Sequence, residues 1–256
     1  GWGFIRADMA ANEVILVTGA TGRLGRITVA ALAAAGLRVR GFDRVPMPGV
    51  PEAVVGDLRD AAAMRRACAD AGTLIHLAAT PDDAPFHEEL LPNNVAGLHD
   101  VLEAAAAAGA RRWILASTGQ VNWWQIHRGP WPVRVGDPLS PKGWYAVTKV
   151  ALEAAGAAYA ERLGIPVIAV RLGWCPRRGQ VEEIAEREFG QDNYLSPRDA
   201  GEFFVRAVNA DVPAGLHVVF ATSRPARRER LDLEPARRLL GWTPRDTWPA
   251  GATDGL

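Results

Sequence analysis

Val14-Ile-Leu-Val-Thr-Gly-Ala-Thr-Gly-Arg-Leu-Gly25 is the stretch that decides the fold of this chain. Four apolar residues predict a buried strand, and the glycines that follow come at intervals of three, at Gly19, Gly22 and Gly25. Gly19 suits a tight turn, Gly22 lets backbone N–H groups approach a pyrophosphate, and Gly25 lets the next helix lie close to the sheet. The pattern predicts a strand, a phosphate-binding turn and a helix from Leu24 to Ala35.

An acidic residue ends the next predicted strand, Leu37 to Asp43, at the position expected for a dinucleotide-binding unit. The Asp43 carboxylate can bind two ribose hydroxyls and would repel a 2′-phosphate, which favours NAD over NADP as the cofactor. Arg44 and Arg23 weaken this preference, because either side chain could reach a phosphate. The alternative interpretation of Asp43 is a solvated carboxylate at a strand end.

Composition and charge exclude several classes of protein. The 256 residues contain 29 Lys plus Arg and 29 Asp plus Glu, so no strong field favours nucleic acid or an acidic membrane surface as a partner. The two cysteines, Cys68 and Cys175, provide neither a disulfide framework nor a metal cluster, so no metal is expected. A reducing, cytoplasmic location fits this composition best.

The beginning of the chain lacks the long apolar core of a signal peptide, and no apolar run reaches about 18 residues. Neither a leader nor a membrane span is therefore expected. We interpret Met9 as the natural start and leave residues 1–11 out of the fold; whether residues 1–8 are native stays open.

Strands and helices alternate along most of the chain. This order predicts an α/β fold with a doubly wound parallel sheet, whose dinucleotide-binding core spans residues 12–173. The pattern loosens beyond residue 173, and residues 174–256 are expected to form a small C-terminal substrate-binding lid interleaved with the core. The further predicted elements are strands Ala53–Val55, Thr73–Ala79, Arg112–Thr118, Ile165–Leu172 and Leu216–Phe220, and helices Pro197–Asn209 and Glu234–Leu240.

Three features near strand ends carry open interpretations. Asp57 either contacts the adenine amino group or caps the helix that starts near Asp60. His76 is expected to be a packed, hydrogen-bonded core residue rather than a catalyst. Four tryptophans follow the fifth strand and either wall a substrate pocket, cap the core or form a subunit contact; they are Trp123, Trp124, Trp131 and Trp144.

Tyr145 and Lys149 are the candidate acid–base pair. They lie four residues apart on a helix predicted from Pro141 to Leu163, so both side chains project from one face. A nearby ammonium group is expected to lower the phenol pKa from its reference value near 10. Thr118, at the end of the fifth strand, would hold the substrate oxygen while hydride passes between substrate and nicotinamide.

Further segments extend this pattern over nearly the whole chain: Asp57-Leu58, His76-Leu-Ala-Ala79, Asn94-Val-Ala-Gly97, Ala116-Ser-Thr118, Arg171-Leu-Gly173 and Leu240-Gly-Trp-Thr-Pro244. With them the chain resembles the extended short-chain dehydrogenase/reductase family, also called the NAD-dependent epimerase/dehydratase family. The resemblance implies a Rossmann fold, Thr118, Tyr145 and Lys149 as catalytic residues, and a homodimer built on the helices around Leu98–Ala107 and Tyr145–Leu163. The implied NAD-binding residues are Gly19, Gly22, Arg23, Leu24, Gly25, Asp43, Asp57, Leu58, Leu77, Ala78, Ala79, Tyr145 and Lys149.

Within that family the chain is most similar in length and segments to uronate dehydrogenases, which oxidise C1 of a free sugar acid. Its polar substrate contacts depart from that branch at Pro81, Gln120 and Trp174. A carboxylate clamp would still need an arginine, for which Arg177, Arg178 and Arg187 are candidates. The substrate-binding residues predicted are Pro81, Gln120, Trp174 and Arg177.

The leading hypothesis is an NAD-dependent oxidoreductase that acts on a small sugar-like alcohol or carbonyl compound. The first alternative is a nucleotide-sugar epimerase or dehydratase, in which the hydride returns to the same substrate. Only about 80 residues follow Gly173, however, which is short for holding a nucleotide sugar. The second alternative is a non-catalytic NAD sensor, which would have no need of Tyr145 and Lys149.

Overall fold

The computed structural model describes residues 13–256, so the expectations for residues 1–11, including Met9 as the start, lie outside the described part of the chain. Within residues 13–256, seven parallel strands form one sheet in the order β3-β2-β1-β4-β5-β6-β7. The strands are β1 Val14–Thr18, β2 Val39–Asp43, β3 Glu52–Val55, β4 Ala71–His76, β5 Arg112–Thr118, β6 Pro166–Leu172 and β7 Gly215–Ala221.

The connections between the strands contain the helices. These are α1 Arg23–Ala34, α2 Ala61–Cys68, α3 Gly97–Ala107, α4 Trp123–Arg128, α5 Trp144–Leu163, α6 Val181–Ala185, α7 Glu188–Asp192, α8 Pro197–Asn209 and α9 Glu234–Leu240. A π-helical segment, Phe86–Ala96, contains Pro92 and leads directly into α3. A single 3₁₀ turn, Gly119–Asn122, connects β5 to α4.

Two apolar layers cover the two faces of the sheet. Along β5, Trp113 and Leu115 pack with the layer formed by α2, α3 and α5, whereas Ile114 packs with the layer formed by α1, α8 and α9. The side chains alternate because successive residues of a strand point to opposite faces. The predicted doubly wound α/β fold is therefore confirmed.

The C-terminal region adds to the sheet as well as to the site. β7 pairs in parallel with β6, and α8 packs so closely on α1 that a Cβ on Gly201 would lie 2.8 Å from Ala31 Cβ. Of the elements after residue 173, α6 and α7 carry the cavity-lining residues Glu183 and Phe189. The division of the chain at residue 173 stays a prediction.

Several predicted boundaries are shifted for identifiable reasons. α1 ends in a cap in which Gly36 has φ +76° and Leu37 N–H donates to Leu32 O, so β2 starts at Val39 rather than Leu37. α5 begins at Trp144 rather than near Pro141. Ser140 and Lys142 donate their backbone N–H groups to Val121 and Gln120 carbonyls instead of entering the helix.

Candidate active site

The glycine-rich turn between β1 and α1 has the geometry that the sequence predicts. Gly19 has φ +70°, and a Cβ there would lie 2.8 Å from the Ala78 backbone nitrogen. A Cβ on Gly25 would lie 2.0 Å from Gly19 O, so only glycine allows the helix to approach the turn. Gly22 precedes α1 without a side-chain cap, which leaves first-turn N–H groups available to an anion.

Arg23 connects this turn to two distant segments. Its Nε donates to Pro176 O at 3.1 Å, and its Nη1 donates to Asp254 O. Its Nη2 is buried and has no hydrogen-bond partner within the described residues. A buried guanidinium nitrogen without a partner, beside free helix N–H groups, fits a phosphate-bearing cofactor.

The acidic residues predicted to contact the adenosine half of a dinucleotide lie at the ends of β2 and β3. Asp43 Oδ2 accepts a hydrogen bond from Thr21 N at 2.9 Å, which places the carboxylate beside the glycine-rich turn. Asp57 pairs with Arg59 at 3.0 Å, and Asp60, not Asp57, caps α2. The capping interpretation of Asp57 is therefore wrong, because the Asp60 carboxylate takes the N–H groups of that helix.

A cavity of about 430 Å³ runs from the glycine-rich turn to α5, α6 and α7. Of the predicted site residues, the following lie on its wall: Gly19, Gly22, Arg23, Leu24, Gly25, Leu77, Ala79, Pro81, Thr118, Gln120, Tyr145, Lys149, Trp174 and Arg177. Asp43, Asp57, Leu58 and Ala78 do not line it. Leu58 is buried beneath Gly97, where a Cβ would lie 3.0 Å from Leu58 Cδ1.

Thr118, Tyr145 and Lys149 meet in this cavity, as predicted from β5 and α5. The Thr118 hydroxyl interacts with the Tyr145 phenol and favours its ionised form. Lys149 Nζ lies 5.8 Å from the centroid of the Tyr145 ring and donates to Ala116 O at 2.8 Å. Helix α5 thus places the phenol and the ammonium group on one face, beside the end of β5.

The pKa values of these groups follow from their burial. Burial raises the pKa of Tyr145 to about 12, and the charge of Asp82 adds to this rise, while Thr118 and Arg177 oppose it. Burial also lowers the pKa of Lys149 to about 8. The expectation of a phenol pKa below 10 is therefore wrong for this arrangement, because desolvation outweighs the nearby positive charges.

His76, which is buried, and Cys175, which is partly buried, are titratable residues without a catalytic arrangement. The Thr18 hydroxyl accepts from Leu77 N and is hydrogen-bonded to His76 Nδ1 at 2.7 Å. Burial lowers the pKa of His76 to about 3, so the ring is neutral, as expected of a packed core histidine. Burial raises the pKa of the Cys175 thiol to about 11, which keeps it protonated.

The end of the cavity away from the glycine-rich turn contains a polar group that sequence analysis missed. Asp82 Oδ1 accepts from Lys142 Nζ at 3.1 Å and from Gln120 Nε2 at 3.4 Å. Asp82 has φ +66°, a backbone conformation that most non-glycine residues avoid. The Pro81-Asp82-Asp83 sequence directly after β4 was the available signal, since loops at the carboxyl ends of parallel strands carry ligand contacts.

Of the four tryptophans considered, Trp123 lines this cavity. It packs against Phe189, with ring centroids 5.2 Å apart, and Phe189 in turn lies 6.1 Å from Trp174. Trp124 and Trp144 are exposed, and Trp131 packs beneath Arg228 and Arg230. Trp123 therefore lies on the wall of the cavity that contains Tyr145, whereas Trp124 and Trp131 line a separate groove and Trp144 is exposed at the start of α5.

A buried ion pair contacts the residue before Thr118 in sequence and has its carboxylate one turn beyond Lys149 on α5. Arg171 on β6 makes a bidentate pair with Glu153 on α5, with both N···O distances 2.8 Å. Ser117 donates to Glu153 at 2.6 Å, and Arg171 also donates to Asn122 at 3.0 Å. The pair joins β5, α5, β6 and the loop after β5, so it fixes the position of Tyr145 and Lys149 relative to Thr118.

Comparisons with known proteins agree with this geometry. The model of a family described as "NAD dependent epimerase/dehydratase family" matches residues 15–174. An L-arabinose 1-dehydrogenase (NAD(P)(+)) of Haloferax volcanii is 34% identical over 252 residues, covering 91% of this chain and 96% of that protein. A uronate dehydrogenase of Agrobacterium fabrum is 31% identical over 237 residues, covering 91% of this chain and 84% of that protein.

A solved structure gives the same relation in three dimensions. A mutant uronate dehydrogenase from Agrobacterium tumefaciens complexed with NAD is similar, with a TM-score of 0.76 and 29% identity, covering 93% of this chain and 86% of that chain. None of the helices within residues 13–256 is long and apolar enough to cross a membrane.

Proposed function

The chain belongs to the NAD-dependent epimerase/dehydratase family, and we propose that it is an NAD-dependent sugar dehydrogenase that oxidises the C1 hydroxyl of a free sugar. The observation that carries this proposal is that one cavity contains both the glycine-rich turn and the side chains of Thr118, Tyr145 and Lys149. The similarity to an arabinose dehydrogenase and a uronate dehydrogenase supports a sugar as the substrate.

NAD fits the residues at the glycine-rich end of the cavity and directly beside it. Free N–H groups at the start of α1 and the unpartnered Arg23 Nη2 suit the pyrophosphate. The Asp43 carboxylate, held beside the turn by Thr21 N–H, suits the adenosine ribose and disfavours a 2′-phosphate. When bound, NAD supplies the hydride acceptor for the reaction.

Tyr145 acts as the general base in this proposal. Thr118 holds the C1 oxygen of the sugar beside the phenol, and the phenolate of Tyr145 takes the hydroxyl proton as the C1 hydrogen leaves as hydride. The product is a lactone, and one proton and one hydride leave the sugar. Lys149, whose pKa is about 8, carries a positive charge near neutral pH and stabilises the phenolate that must form.

The C-terminal region supports a free sugar over a nucleotide sugar. β7 and α8 belong to the sheet and to the layer against α1, which leaves the short helices α6 and α7 to cover the substrate end. Net NADH formation distinguishes the two reactions, since an epimerase returns the hydride to its substrate.

A homodimer through α3 and α5 is part of the proposal. The exposed side chains along α5 include Val147, Ala151, Ala154 and Ala158, which recur at helical spacing on one face. Such a face of small apolar residues suits close packing against the same helix of a second copy.

The test is the formation of NADH, measured by absorbance, with purified protein, NAD and a panel of free sugars. We expect turnover with at least one sugar, and a loss of about 10²–10⁴-fold in kcat for Tyr145→Phe with unchanged NAD affinity. The matched control, Tyr159→Phe, alters a phenol that lies outside the cavity and pairs with Glu103. Unchanged turnover in Tyr145→Phe would remove Tyr145 from the mechanism.

A further inference from the structure

Two amide side chains at the substrate end of the cavity each carry a buried oxygen without a partner. Gln120 Oε1 and Asn193 Oδ1 have no hydrogen bond within residues 13–256, and both residues lie on the cavity wall. Asn193 is 5% exposed. A buried carbonyl oxygen without a protein donor is costly, so each oxygen is an acceptor site for a hydroxyl group in the cavity.

The orientation of both amides is fixed by their neighbours. Gln120 Nε2 faces the Asp82 carboxylate at 3.4 Å, and Asn193 Nδ2 faces the Phe189 carbonyl at 2.7 Å. Both partners accept hydrogen bonds and cannot donate them, so each amide must present its nitrogen there and its oxygen elsewhere. The two amides therefore offer acceptors, not donors, to a ligand.

The cations at this end are mostly paired with carboxylates. Lys142 pairs with Asp82 at 3.1 Å, and Arg187 pairs with Glu183 at 3.2 Å. All four side chains lie on the cavity wall, so Asp82 and Glu183 also place negative charge there. An anionic ligand group would be repelled by these carboxylates unless it displaced one of them.

Of the three cations at this end, Arg177 is the one that makes no ion pair with a carboxylate within the described residues. It follows Pro176, whose carbonyl accepts from Arg23 at the first position of α1. Arg177 therefore follows directly on the segment that contacts the glycine-rich turn, and its charge is assigned to the anionic cofactor rather than to the sugar.

From these contacts we infer that the substrate is an uncharged aldose, whose hydroxyl groups donate to Gln120 Oε1 and Asn193 Oδ1, rather than a uronate or a sugar phosphate. Asp82 is the residue that sets this preference, because its carboxylate pairs with Lys142 and accepts a hydrogen bond from the Gln120 amide nitrogen. The inference rests on the proposed sugar dehydrogenase activity. The aromatic wall of Trp123, Phe189 and Trp174 suits the apolar face of a sugar ring.

The first experiment compares matched sugar pairs with the unaltered protein and saturating NAD. Galactose and galacturonate, and glucose and glucuronate, differ only at C6; glucose 6-phosphate and the pentoses arabinose and xylose complete the panel. We expect kcat/KM at least tenfold higher for the neutral member of a pair. A higher or equal value for the anionic member overturns the inference, whereas no NADH from any sugar contradicts the proposed dehydrogenase activity itself.

The second experiment tests Asp82 as the determinant. In Asp82→Asn, asparagine tolerates the positive φ and keeps the side-chain shape, but Lys142 loses its carboxylate partner and becomes available to an anion. We expect the ratio of kcat/KM for galacturonate to that for galactose to rise about tenfold. An equal loss of activity on both sugars would indicate a merely structural role for Asp82.

The third experiment removes one acceptor. Gln120→Met keeps the length of the side chain without its amide oxygen, so kcat/KM for the neutral sugar should fall about tenfold, through KM. The affinity for NAD, measured by fluorescence quenching, should stay within about twofold, which shows that the fold is kept. Unchanged KM in this variant would contradict the role of Gln120 Oε1.

Discussion

The charge of Asp82 affects Tyr145 as well as the substrate end. Because it raises the phenol pKa, Asp82→Asn should shift the rise of kcat/KM to lower pH. In the proposed mechanism the phenolate is the base, so its fraction grows about tenfold per pH unit below the pKa, and a lower pKa gives more activity at fixed pH. A kcat/KM profile between pH 6 and 7, below the pKa of Lys149, measures this shift; a shift to higher pH would contradict it.

The Glu153–Arg171 pair gives a second prediction at the level of single residues. Arg171→Met leaves the Glu153 carboxylate buried without its cation, which should lower the free energy of unfolding by about 3–5 kcal/mol. The double variant Glu153→Met with Arg171→Met removes both charges and should recover most of the loss. Urea denaturation of both variants measures this difference, and equal destabilisation would mean that packing, not the charge, matters.

Residue roles could be predicted from sequence where the backbone fixes them, and not where loops do. Gly19, Thr118, Tyr145 and Lys149 lie where the spacing predicted, because a strand end and one helical turn position each of them. The pairing of Asp82 with Lys142 joins two loops that are distant in the chain. No local pattern specifies such a contact, and the same is true of the burial that raises the pKa of Tyr145.

Among the elements, the turn between β1 and α1 is the most sensitive to a single methyl group. A Cβ on Gly25 would lie 2.0 Å from the Gly19 carbonyl, so Gly25→Ala must displace α1. We expect a loss of about 1–3 kcal/mol in unfolding free energy and a more than tenfold weaker affinity for NAD. Gly136→Ala is the control, because a Cβ there would meet nothing within 4 Å and the residue lies outside the glycine-rich turn; equal effects would contradict this geometry.

The sequence predicted which segments are strands and which are helices better than it predicted where each of them begins and ends. β5 has the predicted bounds, Arg112–Thr118, because its apolar run is buried on both faces. Boundaries moved where a backbone group found a partner outside its own element, as Leu37 did in the cap of α1 and Lys142 did on Gln120 O. Periodicity describes which face is buried, but it does not describe such end contacts.

At the scale of the molecule, the alternation of strands and helices predicted the doubly wound parallel sheet but not the full role of the C-terminal region. Leu216–Phe220 was predicted as a strand of a lid, yet β7 continues the main sheet beside β6. A short apolar run does not indicate which strand it will pair with, because the pairing depends on how α5 and α8 pack against the sheet.

The outer face of α5 gives the prediction that belongs to the whole molecule. Ala154 is exposed in the middle of this face, and an arginine there would place a charge and a long side chain where two copies of α5 are proposed to pack. Ala154→Arg should therefore convert a dimer to a monomer, measured by size-exclusion chromatography with light scattering. Ala33→Arg, an exposed position on α1 at the other face of the sheet, is the matched control and should leave the mass unchanged. Because Tyr145 and Lys149 lie on the inner side of α5, the monomer should keep its affinity for NAD while its melting temperature falls. A mass of one chain for the unaltered protein would contradict the proposed dimer, and a mass of two chains for Ala154→Arg would place the interface elsewhere.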